Sequence, residues 1–358
     1  MRDIFQIIKA LDLNLNGLNI LTEAASNEYQ LMPILAAMAG GNVFALGKDT
    51  SYGKFKDIKK QIENKAINFG ISKNLKVLHI DEFEDWGMVD IVTNSGMLRP
   101  ITREKISRFK KTSVIPLLWE TWEFRSDEID LPACRDYGIP IIGTNENFSP
   151  INMFMYPSML AIYLFNKANI DYSTDEIILF GGGLTGTLIA KHLMELNDSI
   201  YWFCDSYRDD LISKIPFSTN QTYKILEKKN LKAILIAEHS NPTEIIGENG
   251  LINSNELFNK FPDLKIIHLC GNINKDYLNM INVKTIPDKV ADFGYMSILP
   301  NVFGNVPMLK LFGGGLKVGE IAARSRIKGE SPESAIKRTI EHGIGQDFKG
   351  GFFNYRIE

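Results

Sequence analysis

A short apolar strand that runs into a glycine-rich turn and then into a helix is the feature that most restricts how this 358-residue sequence folds. The stretch from residue 177 to residue 193 reads IILFGGGLTGTLIAKHL. In the GxGxxG spacing, the first glycine permits a tight turn, the second lets the backbone approach a pyrophosphate, and the third lets the helix pack closely on the strand. Amides at the start of such a helix bind phosphate oxygens. The motif therefore predicts a dinucleotide site at Gly181, Gly183, Leu184, Thr185 and Gly186.

An acidic residue follows the next predicted strand, which covers residues 200–204. Asp205 lies 19 residues after Gly186, where a carboxylate accepts hydrogen bonds from the adenosine ribose. Because a carboxylate repels a 2'-phosphate, NAD is favoured over NADP as the cofactor, although the nearby Arg208 weakens that preference. The alternative is a glycine-rich turn that only packs.

A second copy of LFGGGL occupies residues 311–316. Its last glycine is displaced by one position to Gly319, and no strand ending in an acid follows it. We therefore predict a flexible turn that starts a helix at residues 318–328. The alternative is that its amides or Lys317 border a ligand.

Short β-branched or apolar runs alternate with helical patterns along the chain. Strands are predicted at residues 42–46, 76–80, 89–93, 113–118, 140–143, 176–180, 200–204, 233–237 and 265–269. This alternation indicates βαβ units and parallel sheets. The fold class is therefore α/β, with two Rossmann-like, doubly wound parallel-sheet domains and a cleft between them.

Composition excludes several classes of partner. Lys and Arg number 40 against 43 Asp and Glu, for a net charge of -3 and without a basic stripe, so nucleic acid is not expected. The longest apolar run, residues 153–165, contains Pro157 and is too short to span a bilayer, so no membrane partner is expected. The three cysteines are far apart and the histidines lack metal-binding spacing, which indicates no metal site and a reducing, cytoplasmic location.

Several segments resemble the D-2-hydroxyacid dehydrogenases, including the formate and glycerate dehydrogenase type. These segments are residues 127–144, 237–253 and 266–271, within a resemblance that spans roughly residues 89–290. It implies a flavodoxin-like substrate domain at 1–148, an NAD-binding Rossmann domain at 149–310 and a segment at 311–358 that returns to the first domain. It also implies a homodimer. S-adenosylhomocysteine hydrolases are more distantly similar.

Two family positions differ in this sequence. Cys270 or Asn272 stands where the family has its substrate arginine, and both are expected beside the cofactor. Asp288 and Lys289 stand where the family has its catalytic histidine. Asp288 requires burial or a like charge to transfer protons near neutral pH, and Asp292 or Glu120 are the candidates for that charge. Lys289 is the alternative proton donor.

Polar residues at the carboxyl ends of the first-domain strands are the candidates for substrate binding and catalysis. They are Asn94, Ser95, Glu120, Trp122, Arg125 and Asn145. Arg125 is expected to bind a carboxylate, with pairing to Glu123 or Asp127 as the alternative. Trp122 is expected to exclude water, or else to belong to the core. His239 is expected beside the nicotinamide, or else in a surface turn.

These predictions converge on hydride transfer between NAD and a small polar hydroxy or oxo substrate. Two alternatives remain open. One is a non-catalytic dinucleotide sensor, because the family's arginine and histidine are replaced. The other is an enzyme that uses tightly bound NAD as a redox helper in an elimination or hydrolysis.

Overall fold

The computed structural model describes residues 1–204, 230–248 and 250–356. It consists mainly of parallel strands connected by helices. The strands are β1 (Asn19–Glu23), β2 (Asn42–Gly47), β3 (Leu75–His79), β4 (Ile91–Val92), β5 (Ile115–Pro116), β6 (Ile141–Thr144), β7 (Glu176–Phe180), β8 (Ile200–Phe203), β9 (Leu231–Ala237), β10 (Ile246–Gly247), β11 (Ile252–Asn253), β12 (Lys265–Cys270), β13 (Thr285–Ile286) and β14 (Gly345–Gln346). The helices are α1 (Arg2–Ala10), α2 (Leu31–Met38), α3 (Phe55–Asn68), α4 (Arg103–Arg108), α5 (Leu131–Asp136), α6 (Tyr156–Ala168), α7 (Gly183–Met194), α8 (Ser254–Lys260), α9 (Lys275–Met280), α10 (Val306–Ile327) and α11 (Pro332–Glu341).

The chain divides into two units. The first contains Met1–Met153 and Phe303–Glu358, and the second contains Phe154–Val302. The first unit is thus assembled from both ends of the chain. Its C-terminal part supplies β14, which pairs antiparallel with β6.

The sheet of the first unit runs in the order β3-β2-β1-β4, with all four strands parallel. Amide hydrogen bonds from Val92 to the Val114 carbonyl and from Val114 to the Asp90 carbonyl, both 3.0 Å, continue it toward β5 and β6. This order is the 3-2-1-4-5-6 arrangement of dinucleotide-binding domains. It differs from the predicted flavodoxin-like order, because β3 lies outside β2 instead of on the far side of β1.

The sheet of the second unit runs in the order β13-β12-β9-β7-β8 and is entirely parallel. Strand β7 lies between β8 and β9, so the chain turns to opposite sides of β7 in succession. Such a point of reversal is where ligands bind in open α/β sheets. The predicted α/β class with two Rossmann-like parallel sheets is confirmed.

The second LFGGGL copy lies inside helix α10, so the predicted flexible turn with a helix starting at Val318 is wrong. Its glycines allow the helix to contact the rest of the first unit closely. A methyl group added to Gly313 would lie 2.6 Å from Ile7 Cγ2, and one added to Gly314 would lie 2.5 Å from Ile151 Cδ1. Lys317 is buried within the same helix, where it donates to the Asp12 carbonyl at 2.7 Å and pairs with Glu320 at 3.1 Å.

Candidate functional site

The loop between β7 and α7 has the geometry that the glycine motif predicts. A methyl group on Gly181 would overlap the Ala237 carbonyl, and one on Gly186 would overlap the backbone of Gly181. Gly183 has a φ of +57°, which favours glycine, and a methyl group there would lie 2.9 Å from the Ser240 hydroxyl oxygen. At each of these three positions, the neighbouring atoms or the backbone conformation exclude a larger residue than glycine.

The first turn of α7 presents backbone amides at this loop. Within the described ranges, no hydrogen-bond acceptor is found for the amides of Leu184 and Thr185. The Gly186 amide donates to the Gly182 carbonyl at 3.1 Å, and the Thr187 hydroxyl donates to the Gly183 carbonyl. Amides without an acceptor among the described residues and the positive end of the helix dipole together favour an anionic ligand here.

Glu238 connects this loop to the segment that follows β9. Its carboxylate accepts hydrogen bonds from the amides of Gly182 at 2.6 Å, Ser240 at 2.8 Å and Asn241 at 3.0 Å. The side chain is buried, so these three amides replace its hydration. The Gly182 amide is therefore already used, which leaves Leu184 and Thr185 as the amides for an external anion.

A small cavity opens at the carboxyl ends of β7, β8 and β9. Its lining includes Phe180, Gly181, Phe203, Cys204, Glu238 and Asn241. Its volume of about 30 Å³ has room for about two water molecules, which is too small to enclose a nucleotide. Asp205, predicted to bind the ribose, and Arg208 lie outside the described residues.

The other predicted cofactor residues follow β9 and β12. His239 is partly exposed, directly after Glu238. Cys270 is fully buried at the end of β12, and burial raises the pKa of its thiol, which keeps the sulfur protonated. The Asn272 side chain donates to the Pro242 carbonyl at 2.7 Å and so links the two loops.

His268, on β12, is a buried histidine with both ring nitrogens bonded. Nε2 donates to the Gly271 carbonyl at 3.0 Å, and Nδ1 lies 2.6 Å from the Ser297 hydroxyl oxygen. Burial lowers its pKa to about 4, so the ring is neutral at physiological pH. We interpret it as a structural residue.

The predicted acid/base pair follows β13. Asp288 and Lys289 are both exposed. Asp292, one of the carboxylates suggested as a like charge for Asp288, instead pairs with Lys275 at 2.6 Å, and this contact lowers its pKa. The described part of the second unit thus does not bury Asp288.

Two of the predicted substrate residues follow β4 in the first unit, and both are buried. The Asn94 side-chain oxygen accepts a hydrogen bond from the Leu118 amide at 3.0 Å, while its Nδ2 is buried without a partner among the described residues. The Ser95 hydroxyl lies 2.9 Å from the Thr93 hydroxyl. These contacts fix the start of the loop after β4.

The predicted residues after β5 form a carboxylate-rich cluster. The Trp122 indole donates to the buried Glu120 carboxylate at 2.8 Å, and Trp122 is 42% exposed. Arg125 Nη1 lies 3.4 Å from the Glu128 carboxylate, and its charge also acts on Glu123, the partner suggested as the alternative, by lowering that residue's pKa against burial. Burial and repulsion from Glu123 and Glu120 raise the pKa of Glu146. The structure thus brings Glu120, Trp122 and Arg125 into one polar region.

Asn145, predicted to bind substrate, has its side chain committed to loop contacts. Its Nδ2 donates to the Gly343 carbonyl at 2.9 Å, and its Oδ1 accepts a hydrogen bond from the Asn147 amide at 3.1 Å. Gly343 connects α11 to β14. The contacts of Asn145 therefore attach the C-terminal segment to the loop after β6.

Replacing Glu123 with glutamine is expected to stabilise the protein at about pH 8 and to have little effect at about pH 4. Burial, then repulsion from Glu120, raises the pKa of Glu123 from 4.5 to about 7, so the folded state binds its proton more tightly than the unfolded chain. Stability therefore falls as the pH rises from about 4.5 through 7, and the neutral amide removes this loss. The gain should be on the order of 2 kcal/mol.

Urea unfolding of both proteins at the two pH values measures this effect. Glu341→Gln, at an exposed position, is the matched control. An equal gain at both pH values would contradict the assigned cause.

One side chain at the carboxyl edge of the first unit is absent from the sequence predictions. Glu23 ends β1, a strand that the sequence analysis missed, and it is buried. An acid directly after an apolar run was the available signal, the same signal that identified Asp205. Burial raises the pKa of Glu23 from 4.5 to about 6, while the Met97 amide and Arg99 act in the opposite direction.

Metal clusters and membrane-spanning helices are both absent from the described part of the chain. These residues contain no group of three or more histidine, cysteine, aspartate or glutamate side chains that could hold a metal ion. No helix in the described ranges has the length and hydropathy needed to cross a membrane.

No family model and no curated protein matches this sequence. Among solved structures, a dipicolinate synthase from Bacillus halodurans is 11% identical with a TM-score of 0.52, and the match covers 84% of this chain and 96% of that chain. A dipicolinate synthase from Bacillus subtilis is 10% identical with a TM-score of 0.51, covering 88% and 98%. D-lactate dehydrogenase with NAD+ from Lactobacillus jensenii is 12% identical with a TM-score of 0.45, covering 88% and 98%. The dipicolinate synthase structures share the fold of this chain.

Proposed function

We propose that this chain is an NAD-dependent oxidoreductase whose second unit binds the dinucleotide and whose first unit binds a small polar hydroxy or oxo compound. The observation that carries the proposal is the β7–α7 loop, where added methyl groups at Gly181 and Gly186 would overlap backbone atoms. Because these close contacts fix the loop, the first backbone amides of α7 stay in position to bind a pyrophosphate. When bound, the nicotinamide would supply the hydride acceptor or donor.

The residues around the loop fit a dinucleotide. The amides of Leu184 and Thr185 would bind the pyrophosphate, and the cavity beside Phe203 and Cys204 would receive the adenosine side. Asp205, next in the sequence, would bind the ribose diol, as its spacing from Gly186 suggests. His239, Cys270 and Asn272 would border the nicotinamide side of the same edge.

In the first unit, the polar side chains at the carboxyl edge would hold the substrate. Arg125 and Asn94 are the candidates for hydrogen bonds to it, and Trp122 is the candidate for excluding water. Asp288 and Lys289 remain candidates for proton transfer. Both side chains are exposed, whereas Asp288 would need burial or a like charge nearby to transfer protons near neutral pH. The cytoplasmic location and the homodimer belong to the same proposal.

NADH is expected to bind purified protein more tightly than NADPH, and Asp205→Ser is expected to reduce that difference at least tenfold. The carboxylate accepts the ribose hydroxyls of NADH and repels the 2'-phosphate of NADPH. Titrations followed by nicotinamide fluorescence and by calorimetry measure both affinities. Asp263→Ser, at an exposed position in the second unit, is the control. The absence of both heat and fluorescence change with either dinucleotide would reject the proposed function.

A further inference from the structure

The peptide group between Gly181 and Gly182 is held by a side chain on each of its sides. The Gly181 carbonyl accepts a hydrogen bond from the buried Trp202 indole at 2.6 Å. The Gly182 amide donates to the buried Glu238 carboxylate at 2.6 Å. Because this carbonyl and this amide belong to one planar group, the two contacts together fix its orientation. The Gly182 amide is therefore directed at Glu238.

Glu238 also positions the segment that follows β9. Its Oε1 accepts hydrogen bonds from the amides of Ser240 at 2.8 Å and Asn241 at 3.0 Å. Both carboxylate oxygens thus act as acceptors, as they do in an ionised carboxylate. The three donors are backbone amides, which are dipoles without net charge. They stabilise the carboxylate but leave its negative charge uncancelled.

This negative charge lies close to the amides that we assign to the ligand phosphates. Glu238 Oε2 is 2.6 Å from the Gly182 nitrogen, and the two residues from there to the Leu184 nitrogen span at most about 7 Å. The separation is therefore no greater than about 10 Å, which is the Debye length at about 0.1 M salt. Since Glu238 is only 8% exposed, salt screens its charge incompletely. An anion bound to the Leu184 amide is repelled by Glu238.

The same charge acts on a second neighbour. Burial raises the pKa of the Cys270 thiol, and the negative charge of Glu238 raises it further. Glu238 is also joined to Cys270 through the backbone, because its amide donates to the Cys270 carbonyl at 3.1 Å. The carboxylate thus acts on groups on both sides of β9.

We propose that Glu238 is a specificity-determining residue of the glycine loop, which makes the loop favour a diphosphate diester over a ligand that ends in a phosphate monoester. The inference rests on the proposed function, because it concerns the pyrophosphate of the dinucleotide. A phosphate within a diester carries one negative charge, whereas a terminal monoester carries nearly two at about pH 7.5, since its second pKa is about 6. Glu238 repels the additional charge. A dinucleotide is thereby distinguished from nucleoside diphosphates and triphosphates.

The test compares ADP-ribose with ADP, which share adenosine and a diphosphate. The distal phosphate is a diester in ADP-ribose and a monoester in ADP. Dissociation constants for the full chain are measured by calorimetry at about pH 7.5 and about 0.1 M salt. Wild type should prefer ADP-ribose at least tenfold. Glu238→Gln should reduce this preference at least fivefold, because a neutral amide does not repel the additional charge of ADP.

Three further variants separate charge from geometry. Glu238→Asp keeps the charge, so it should retain the preference within about twofold while both probes bind more weakly. Trp202→Phe removes the hydrogen bond to the Gly181 carbonyl without changing any charge, so both probes should weaken together. Asp263→Asn removes an exposed carboxylate of the same unit and should leave both dissociation constants unchanged. Circular dichroism confirms that each variant folds.

A second measurement needs no nucleotide. Inorganic pyrophosphate carries more negative charge than a diphosphate diester, so wild type should bind it weakly. Glu238→Gln should bind it at least fivefold more tightly. The amide resonances of Leu184 and Thr185 report this binding by NMR and show whether the anion lies at the loop.

An unchanged ADP-ribose preference in Glu238→Gln would overturn the role of Glu238, and so would a loss of preference in Glu238→Asp equal to that in Glu238→Gln. Wild type that binds ADP as tightly as ADP-ribose overturns it without any variant. Pyrophosphate binding that is equal in wild type and Glu238→Gln, or undetectable in both, also overturns it. If NADH and ADP-ribose bind neither protein while pyrophosphate binds Glu238→Gln more tightly, the proposed function fails and the role of Glu238 stands.

Discussion

Gly186→Ala should destabilise the second unit by about 3 kcal/mol and weaken NADH binding at least tenfold. The added methyl group would overlap the carbonyl carbon and oxygen of Gly181, which are backbone atoms and cannot rotate away. Helix α7 would have to move off β7, and overpacking of this kind costs about 1–3 kcal/mol or more. The amides of Leu184 and Thr185 would move with the helix. The gain in helix propensity, about 1 kcal/mol, is smaller than this cost.

Urea unfolding and NADH titration measure the two effects independently. Gly87→Ala is the control, since its added methyl group would have no neighbour closer than 3.8 Å. Wild-type stability in Gly186→Ala would show that the close approach of α7 to β7 is not required. If stability falls but NADH affinity does not change, the loop is structural and the phosphate assignment fails.

Gly314→Leu should destabilise the first unit by on the order of 3 kcal/mol. Leucine is the better helix former by about 1 kcal/mol, so intrinsic propensity alone predicts the opposite sign. Packing decides the result: even a methyl group at this position would lie 2.5 Å from Ile151 Cδ1 and 3.0 Å from Thr144 Cγ2. A side chain with three further carbons has no space between the helix and β6.

The matched control places leucine elsewhere on the same helix. Ile327 is 49% exposed near the end of α10, so Ile327→Leu should change stability by less than about 0.5 kcal/mol. Urea unfolding of the two variants gives the comparison. A stable Gly314→Leu protein would mean that α10 does not pack closely on the sheet through its glycines.

The two copies of LFGGGL illustrate why one part of the sequence could be interpreted and another could not. In the first copy, the strand before the glycines and the helix after them are adjacent in sequence, so Gly181 meets Gly186 through local geometry. In the second copy, the partners of Gly313 and Gly314 are Ile7 and Ile151, which are distant in sequence. Local reasoning treated those glycines as a turn, although α10 tolerates them because close packing compensates for their poor helix propensity.

Glu23 illustrates the same limit at the candidate site. Its position after an apolar run could be recognised in the sequence, as it was for Asp205. Burial in the folded chain raises its pKa, and the groups that oppose this rise, the Met97 amide and Arg99, lie more than 70 residues later in the chain. Asp288 shows the opposite. Its proposed role in proton transfer led us to expect a buried side chain, but Asp288 is exposed in the described part of the second unit.

Periodicity and spacing over a few neighbouring residues were enough to predict the α/β class, the parallel sheets and the glycine loop. The packing role of the second glycine run and the position of β3 outside β2 could be learned only from the folded chain. The same is true of the approach of Met97 and Arg99 to Glu23. Contacts between distant segments set the burial and electrostatic environment of a side chain, and no local pattern records them.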